Sequence, residues 1–189
     1  LGANFSYAMQ WNDGDFPARS TGFSIAEVFA QRTLRKDDRT VLTARLIVAA
    51  DTGLTLYRPD GAEASLGLDP ALEPGLLVGR ALSDDGRVFA GLEAGWRASL
   101  GADADRARIQ LTLGTKPAPQ WLLLVKSYNS VVTDAGRTAW SDYDVYRGEI
   151  SAVYTTPRQH SYELGLRQDL GGRNIATGTA VYFSIWSRF

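Results

Sequence analysis

Residues 87–100 read RVFAGLEAGWRASL. Every second residue is apolar: Val88, Ala90, Leu92, Ala94, Trp96, Ala98, Leu100. The residues between them are Arg87, Phe89, Gly91, Glu93, Gly95, Arg97 and Ser99. A period of two belongs to a β-strand, whose successive side chains point to opposite faces. The run is also far longer than the ~5–6 residues usual for a globular strand. The pattern returns elsewhere. In 106–113, Ala107, Ile109, Leu111 and Leu113 alternate with Arg106, Arg108, Gln110 and Thr112. In 160–170, Tyr162, Leu164, Leu166 and Leu170 alternate with Glu163, Gly165, Arg167 and Asp169. Near the start, Phe5, Tyr7, Met9 and Trp11 alternate with Asn4, Ser6, Gln10 and Asn12.

Extending the pattern predicts ten strands, over 4–12, 22–34, 41–51, 75–83, 87–100, 105–115, 120–133, 140–154, 160–170 and 177–189. Turn-forming clusters separate them: Asn12 to Asp15, Asp84 to Gly86, Pro117 to Pro119, Pro157, and Gly171-Gly172. Strands 22–34, 75–83 and 120–133 alternate poorly, and Arg80 and Lys126 fit neither face. No helix, internal repeat, low-complexity tract or linker interrupts the chain, so residues 1–189 are read as one all-β domain.

Composition narrows the chemistry. The 189 residues carry a net charge of −1, no cysteine and one histidine. A near-neutral chain offers nothing to attract nucleic acid in bulk. Without Cys there is no disulfide framework and no thiol chemistry, and a single His makes zinc a poor fit. No cofactor is implied. The chain starts at Leu1 with no charged-then-apolar leader, which is the expectation for a processed chain. Its longest apolar runs, 46–50 and 121–125, are far short of the ~20 residues of a membrane-spanning helix.

Alternating strands suit two architectures. A soluble barrel or sandwich turns the apolar face inward. A membrane barrel turns it to lipid and keeps the polar face for the lumen. Three features favour the second. Segments of 11–15 residues exceed the ~9–11 that a tilted strand needs to cross a bilayer. The links after predicted strands 2, 4, 6 and 8 are short, whereas most of those on the other side are longer, 52–74 most of all. Aromatics (Tyr7, Trp11, Trp96, Trp121, Tyr154, Tyr162, Phe189) cluster near strand ends on the apolar face, as interfacial girdles do. The prediction is an antiparallel up-and-down transmembrane β-barrel of about ten strands.

The last ten residues, AVYFSIWSRF, place Val181, Phe183, Ile185 and Phe189 on one face, with Ser187 between the last two. This ending resembles the C-terminal assembly signal of bacterial outer-membrane β-barrel proteins, with Phe183, Ile185 and Phe189 as the matching positions. The resemblance implies a Gram-negative outer-membrane location and recognition by the barrel-assembly machinery. Membrane lipid and lipopolysaccharide would then surround the chain.

The opposite faces should line a lumen rich in charge: Arg45, Arg87, Glu93, Arg97, Arg106, Arg108, Arg147, Glu149, Glu163, Arg167, Asp169 and Arg188. Eight arginines face four acids. Either the interior is packed with ion pairs, or a basic constriction admits anions. Acids of the connecting segments, Asp13, Asp15, Glu63, Asp69 and Glu73, could fold in as counter-charges. The expected function is a narrow, porin-like channel for small polar or anionic solutes. The alternative is a non-conducting structural barrel in an envelope assembly, such as one exporting a surface polysaccharide, with 52–74 as a loop for a protein partner. A lipid-modifying enzyme fits less well: His160 and Ser161 are adjacent on a strand and should face opposite ways. Asp13/Asp15 and Asp142/Asp144 read as solvated turn carboxylates, and no metal site is expected.

Overall fold

The computed structural model describes residues 2–12, 18–50, 52–57, 63–137, 142–158, 160–175 and 177–186. They form strands only: β1 (Gly2–Asn12), β2 (Ala18–Lys36), β3 (Thr40–Ala49), β4 (Thr52–Tyr57), β5 (Glu63–Leu68), β6 (Ala71–Ala81), β7 (Val88–Ser99), β8 (Asp105–Ala118), β9 (Trp121–Asp134), β10 (Asp144–Thr155), β11 (Ser161–Arg173) and β12 (Thr179–Trp186). All twelve belong to one sheet, and every pairing is antiparallel. β2 pairs with β3 and then with β4, while β3 pairs with β6 and β4 with β5. β3–β4 and β5–β6 therefore run as two longer strands, each broken once, in an up-and-down order.

Residues 52–74, expected as a long loop, are thus mostly sheet. They hold the β4–β5 hairpin and the first residues of β6. Gly53, Gly67 and Pro74 dilute the strand signal there. The ladder between β6 and β7 skips Glu73 and Pro74, where proline has no N–H to donate. Strand 75–83 accordingly starts earlier, at Ala71.

The alternation decides which side chains share a face, and burial separates the two faces sharply. On one face Leu92, Leu111, Leu113, Val125, Ile150, Leu164, Leu170 and Phe183 are all exposed. On the other, Glu73, Glu149 and Glu163 are each only 3% exposed. Polar groups are covered and large aliphatic groups are not, the reverse of an ordinary globular core. Arg80 lies on the apolar face, beside the turn into β7, and is exposed. Lys126 lies on the polar face.

The polar face is concave. Glu27 on β2 and Arg97 on β7 are three strand spacings apart, about 14 Å in a flat sheet, yet their side chains meet at 2.8 Å. Among the described residues, no pairing joins β1 to β12. Towards the short-turn end, Leu124 (6% exposed) and Val153 (1%) fill the concave side with apolar groups. The outward aromatics sit near strand ends. Trp121 and Tyr154 pack at 5.1 Å and Tyr162 stacks on Phe183 at 6.2 Å near the turn end, while Trp96 Nε1 donates to Thr133 Oγ1 (3.1 Å) near the other end.

Candidate functional site: the charged concave face

Small residues make room for large ones on the concave face. Gly95 lies beneath Glu73, and a Cβ there would come within 3.0 Å of the carboxylate. Gly165 lies beneath the Tyr182 ring and Gly114 beneath that of Phe89, each so close that a Cβ would collide. Each glycine lets a side chain from the next strand lie across the sheet rather than stand away from it.

Two ionic clusters result. In the first, Glu73 accepts from Arg108 Nη1 at 2.6 Å and lies 3.8 Å from Arg97 Nη1, which donates to Glu27. Arg45 pairs with Glu93 beside them. In the second, Lys126 Nζ reaches Glu149 (2.8 Å) and Glu163 (3.2 Å). The Tyr182 hydroxyl lies 2.5 Å from Glu149 Oε1 and 2.9 Å from Glu163 Oε1, and Ser151 donates to Glu163 at 2.7 Å. Arg167 donates to Glu149 Oε2 through Nε and Nη2. Arg147 Nε donates to Asp169 at 2.5 Å. Arg106 lies over the Tyr143 ring, 3.8 Å from its centroid, and donates to the Tyr143 carbonyl at 2.7 Å. Removing one partner of a buried pair costs about 3–5 kcal/mol because the other charge is stranded. The clusters therefore bind neighbouring strands into one unit.

Beside these clusters lies a cavity of about 440 Å³. Its wall draws on β2, β3, β6, β7, β8, β9 and β10, with Glu27, Glu93, Arg97, Arg108, Tyr128 and Arg147 among the lining side chains. It sits towards the end that carries the 100–104 connection, where Asp69 accepts from the Ala102 and Asp103 N–H groups and Asp103 accepts from Asp69 N–H. At the same end, Arg173 clasps Asp142 with two N–H donors (2.7 and 3.0 Å), which holds the Asp142 carboxyl below the usual carboxylate range. At the opposite end, the Ser83 hydroxyl and Arg87 N–H do the same for Asp85.

Arg45, Glu93, Arg97, Arg106, Arg108, Arg147, Glu149, Glu163, Arg167 and Asp169 all lie on the concave face, and it brings them into contact with one another or with its other polar groups. Arg87 does not join them. It precedes β7 in an exposed turn, paired with Asp85 at 3.3 Å. Arg188 and Phe189 fall outside the described residues, as do Asp13 and Asp15. Val181, Phe183 and Ile185 occupy the exposed apolar face. Sequence reasoning missed Glu27 and left Lys126 unassigned, because strands 22–34 and 120–133 alternate poorly. It held Glu73 only as a possible folded-in acid. Counting back from Phe29 by two would have found Glu27; Glu73 needed the pairing register with Ile47.

His160 lies in the turn before β11, and its N–H donates to Thr156 Oγ1; the Ser161 hydroxyl instead pairs with Thr155 Oγ1 at 2.8 Å. Asp144 joins Asp142 on Arg173. Among the described residues no group of three metal-ligating side chains converges. No family model, curated protein or solved structure matches this chain.

Proposed function

We propose that this chain is a bacterial outer-membrane β-barrel with a narrow, charge-braced lumen that admits small polar or anionic solutes from one end. The single observation carrying this reading is the inversion of burial: ion pairs inside, aliphatic side chains outside. A soluble monomer rarely exposes a continuous apolar surface beyond a few hundred Å². Here exposed Leu, Val, Ile and Phe run along successive strands from β6 to β12. Lipid supplies the partner such a surface needs. Aromatics at both strand ends fit the interfacial girdles of such barrels. In lipid an open sheet edge has no hydrogen-bond partner. On this reading β1 and β12 pair to close the sheet, and the assembly machinery receives the last strand.

The cavity supports a solute-facing interior, and the charged and hydrogen-bonding side chains in its wall suit polar cargo. The ion pairs beside it, with Leu124 and Val153 beyond, argue for a constriction and against a wide aqueous pore. The same pairs favour a second reading, a non-conducting barrel that serves an envelope assembly as scaffold or partner. Planar-bilayer recording separates the two. Small, discrete, anion-favouring conductance steps are expected of the first. A bilayer silent for the native chain, and equally silent once Lys126→Ala or Arg97→Ala has opened the interior, would refute it and leave the scaffold. The membrane reading has its own test: a stable, monodisperse form without detergent would refute it.

A further inference from the structure

We propose that the cavity is a binding site for a small solute carrying an oxyanion (a carboxylate, phosphate or sulfate) seated between Arg108 and Arg147. The inference rests on the concave face being open to solutes, and it adds a site and a ligand chemistry to that reading. The acids of the wall are spent. Glu27 is taken by Arg97 and Glu93 by Arg45. Asp69 accepts the N–H groups of Ala102 and Asp103, and Asp103 accepts that of Asp69. The two arginines are not. Arg108 is held through Nη1 alone and Arg147 through Nε alone. A guanidinium has five N–H donors in a planar fork shaped for oxyanions. The unused donors are accessible: the Arg108 side chain is 40% exposed and that of Arg147 32%, against 3% for Glu73.

Register brings the two together. Arg108 on β8 stands opposite Ser130 on β9, and Arg147 on β10 stands opposite Tyr128, two residues along β9. Both arginines flank the same stretch of β9, two strand spacings and two residues apart, about 12 Å before the curl of the sheet is counted. Ser130 between them is small, and Gln110, Tyr128 and Ser130 give the floor further hydrogen-bonding groups. A volume of about 440 Å³ is that of a metabolite-sized site.

The test is calorimetric titration of the full chain with succinate and with inorganic phosphate, using neutral dimethyl succinate as the control. Saturable binding of at least one anion, weakened by added salt, is expected. Arg108→Gln and Arg147→Gln should each lower affinity by about tenfold or more, the worth of a charge-assisted hydrogen bond. Because a Gln variant strands Glu73 or Asp169 and could fail to fold, Ser130→Leu is the second variant. It fills the floor, touches no ion pair and should abolish binding in a chain of native circular dichroism. No saturable binding of either anion would overturn the proposal, as would equal binding of dimethyl succinate, or native affinity in folded Ser130→Leu. Succinate binding by a chain that proves stable without detergent would uphold the site and refute only the membrane reading.

Discussion

Leu111→Arg is the sharpest test of the inverted face. Leu111 is 51% exposed, on the same face as Leu92, its partner across the β7–β8 ladder. It is the seventh residue of a fourteen-residue strand. At ~3.4 Å per residue and a tilt of about 40°, the nearer strand end is only ~16 Å away along the membrane normal. A hydrocarbon core is ~30 Å thick, so Leu111 would sit near its midplane. Arginine at that depth costs about 2–4 kcal/mol in a transmembrane barrel. On a water-facing surface the same exchange stays within about 0.5 kcal/mol. The two outcomes differ by a factor of about ten to a thousand in the folding equilibrium. Reversible urea unfolding in lipid vesicles, followed by tryptophan fluorescence, would measure the difference. The cost should fall along the strand, so that Arg at Thr115 is cheaper than at Leu111. A Leu111→Arg chain within 0.5 kcal/mol of the parent, or one costing no more at Leu111 than at Thr115, would refute the assignment of this face to lipid.

Other consequences follow from the concave face and its rim. Glu149→Gln removes the partner of Arg167 and one of the two partners of Lys126, which keeps Glu163, and should cost about 1.5–3 kcal/mol in the same unfolding assay; a loss below about 1 kcal/mol would show that the cluster is wet and weakly coupled. Gly165→Val should displace the Tyr182 ring from Glu149 and Glu163, and a native hydrogen-exchange pattern across β11–β12 in that variant would contradict the close approach. Asp142 should give the rim an acid-sensitive clasp. Its carboxyl titrates below the ordinary range in the folded chain, so its contribution is complete above the unfolded-state pKa and is lost as pH falls through the folded value. Amide exchange around Arg173 should therefore rise only at acidic pH, and Asp142→Asn should show the faster exchange at neutral pH; identical pH profiles would exclude the clasp.

Much of this was legible locally. Period-two alternation in 87–100, 106–113 and 160–170 depends only on the pleat, so the sequence alone assigned Arg97, Arg108, Glu163 and Arg167 to one face and Leu92, Leu111 and Leu164 to the other. It also placed the turn at Asp84-Asp85-Gly86, where glycine supplies the positive φ, but not every turn: Pro117 and Ala118 close β8 and Gly171-Gly172 lie within β11, because neighbouring strands extend the ladder past them. Four things required the tertiary structure. Residues 52–74 became sheet because β2 and β3 supplied neighbours, overriding glycine and proline. Arg87 left the charged face because the turn ended one residue later than alternation implied. Lys126, Glu27 and Glu73 acquired roles only through register, since their partners lie on other strands 23 to 70 residues away in sequence. And the surplus of arginine over acid, which pointed to a basic lumen, was largely cancelled by Glu27 and Glu73. Alternation tells a side chain which way to point; only the curl of the sheet brings opposite charges from distant strands within reach.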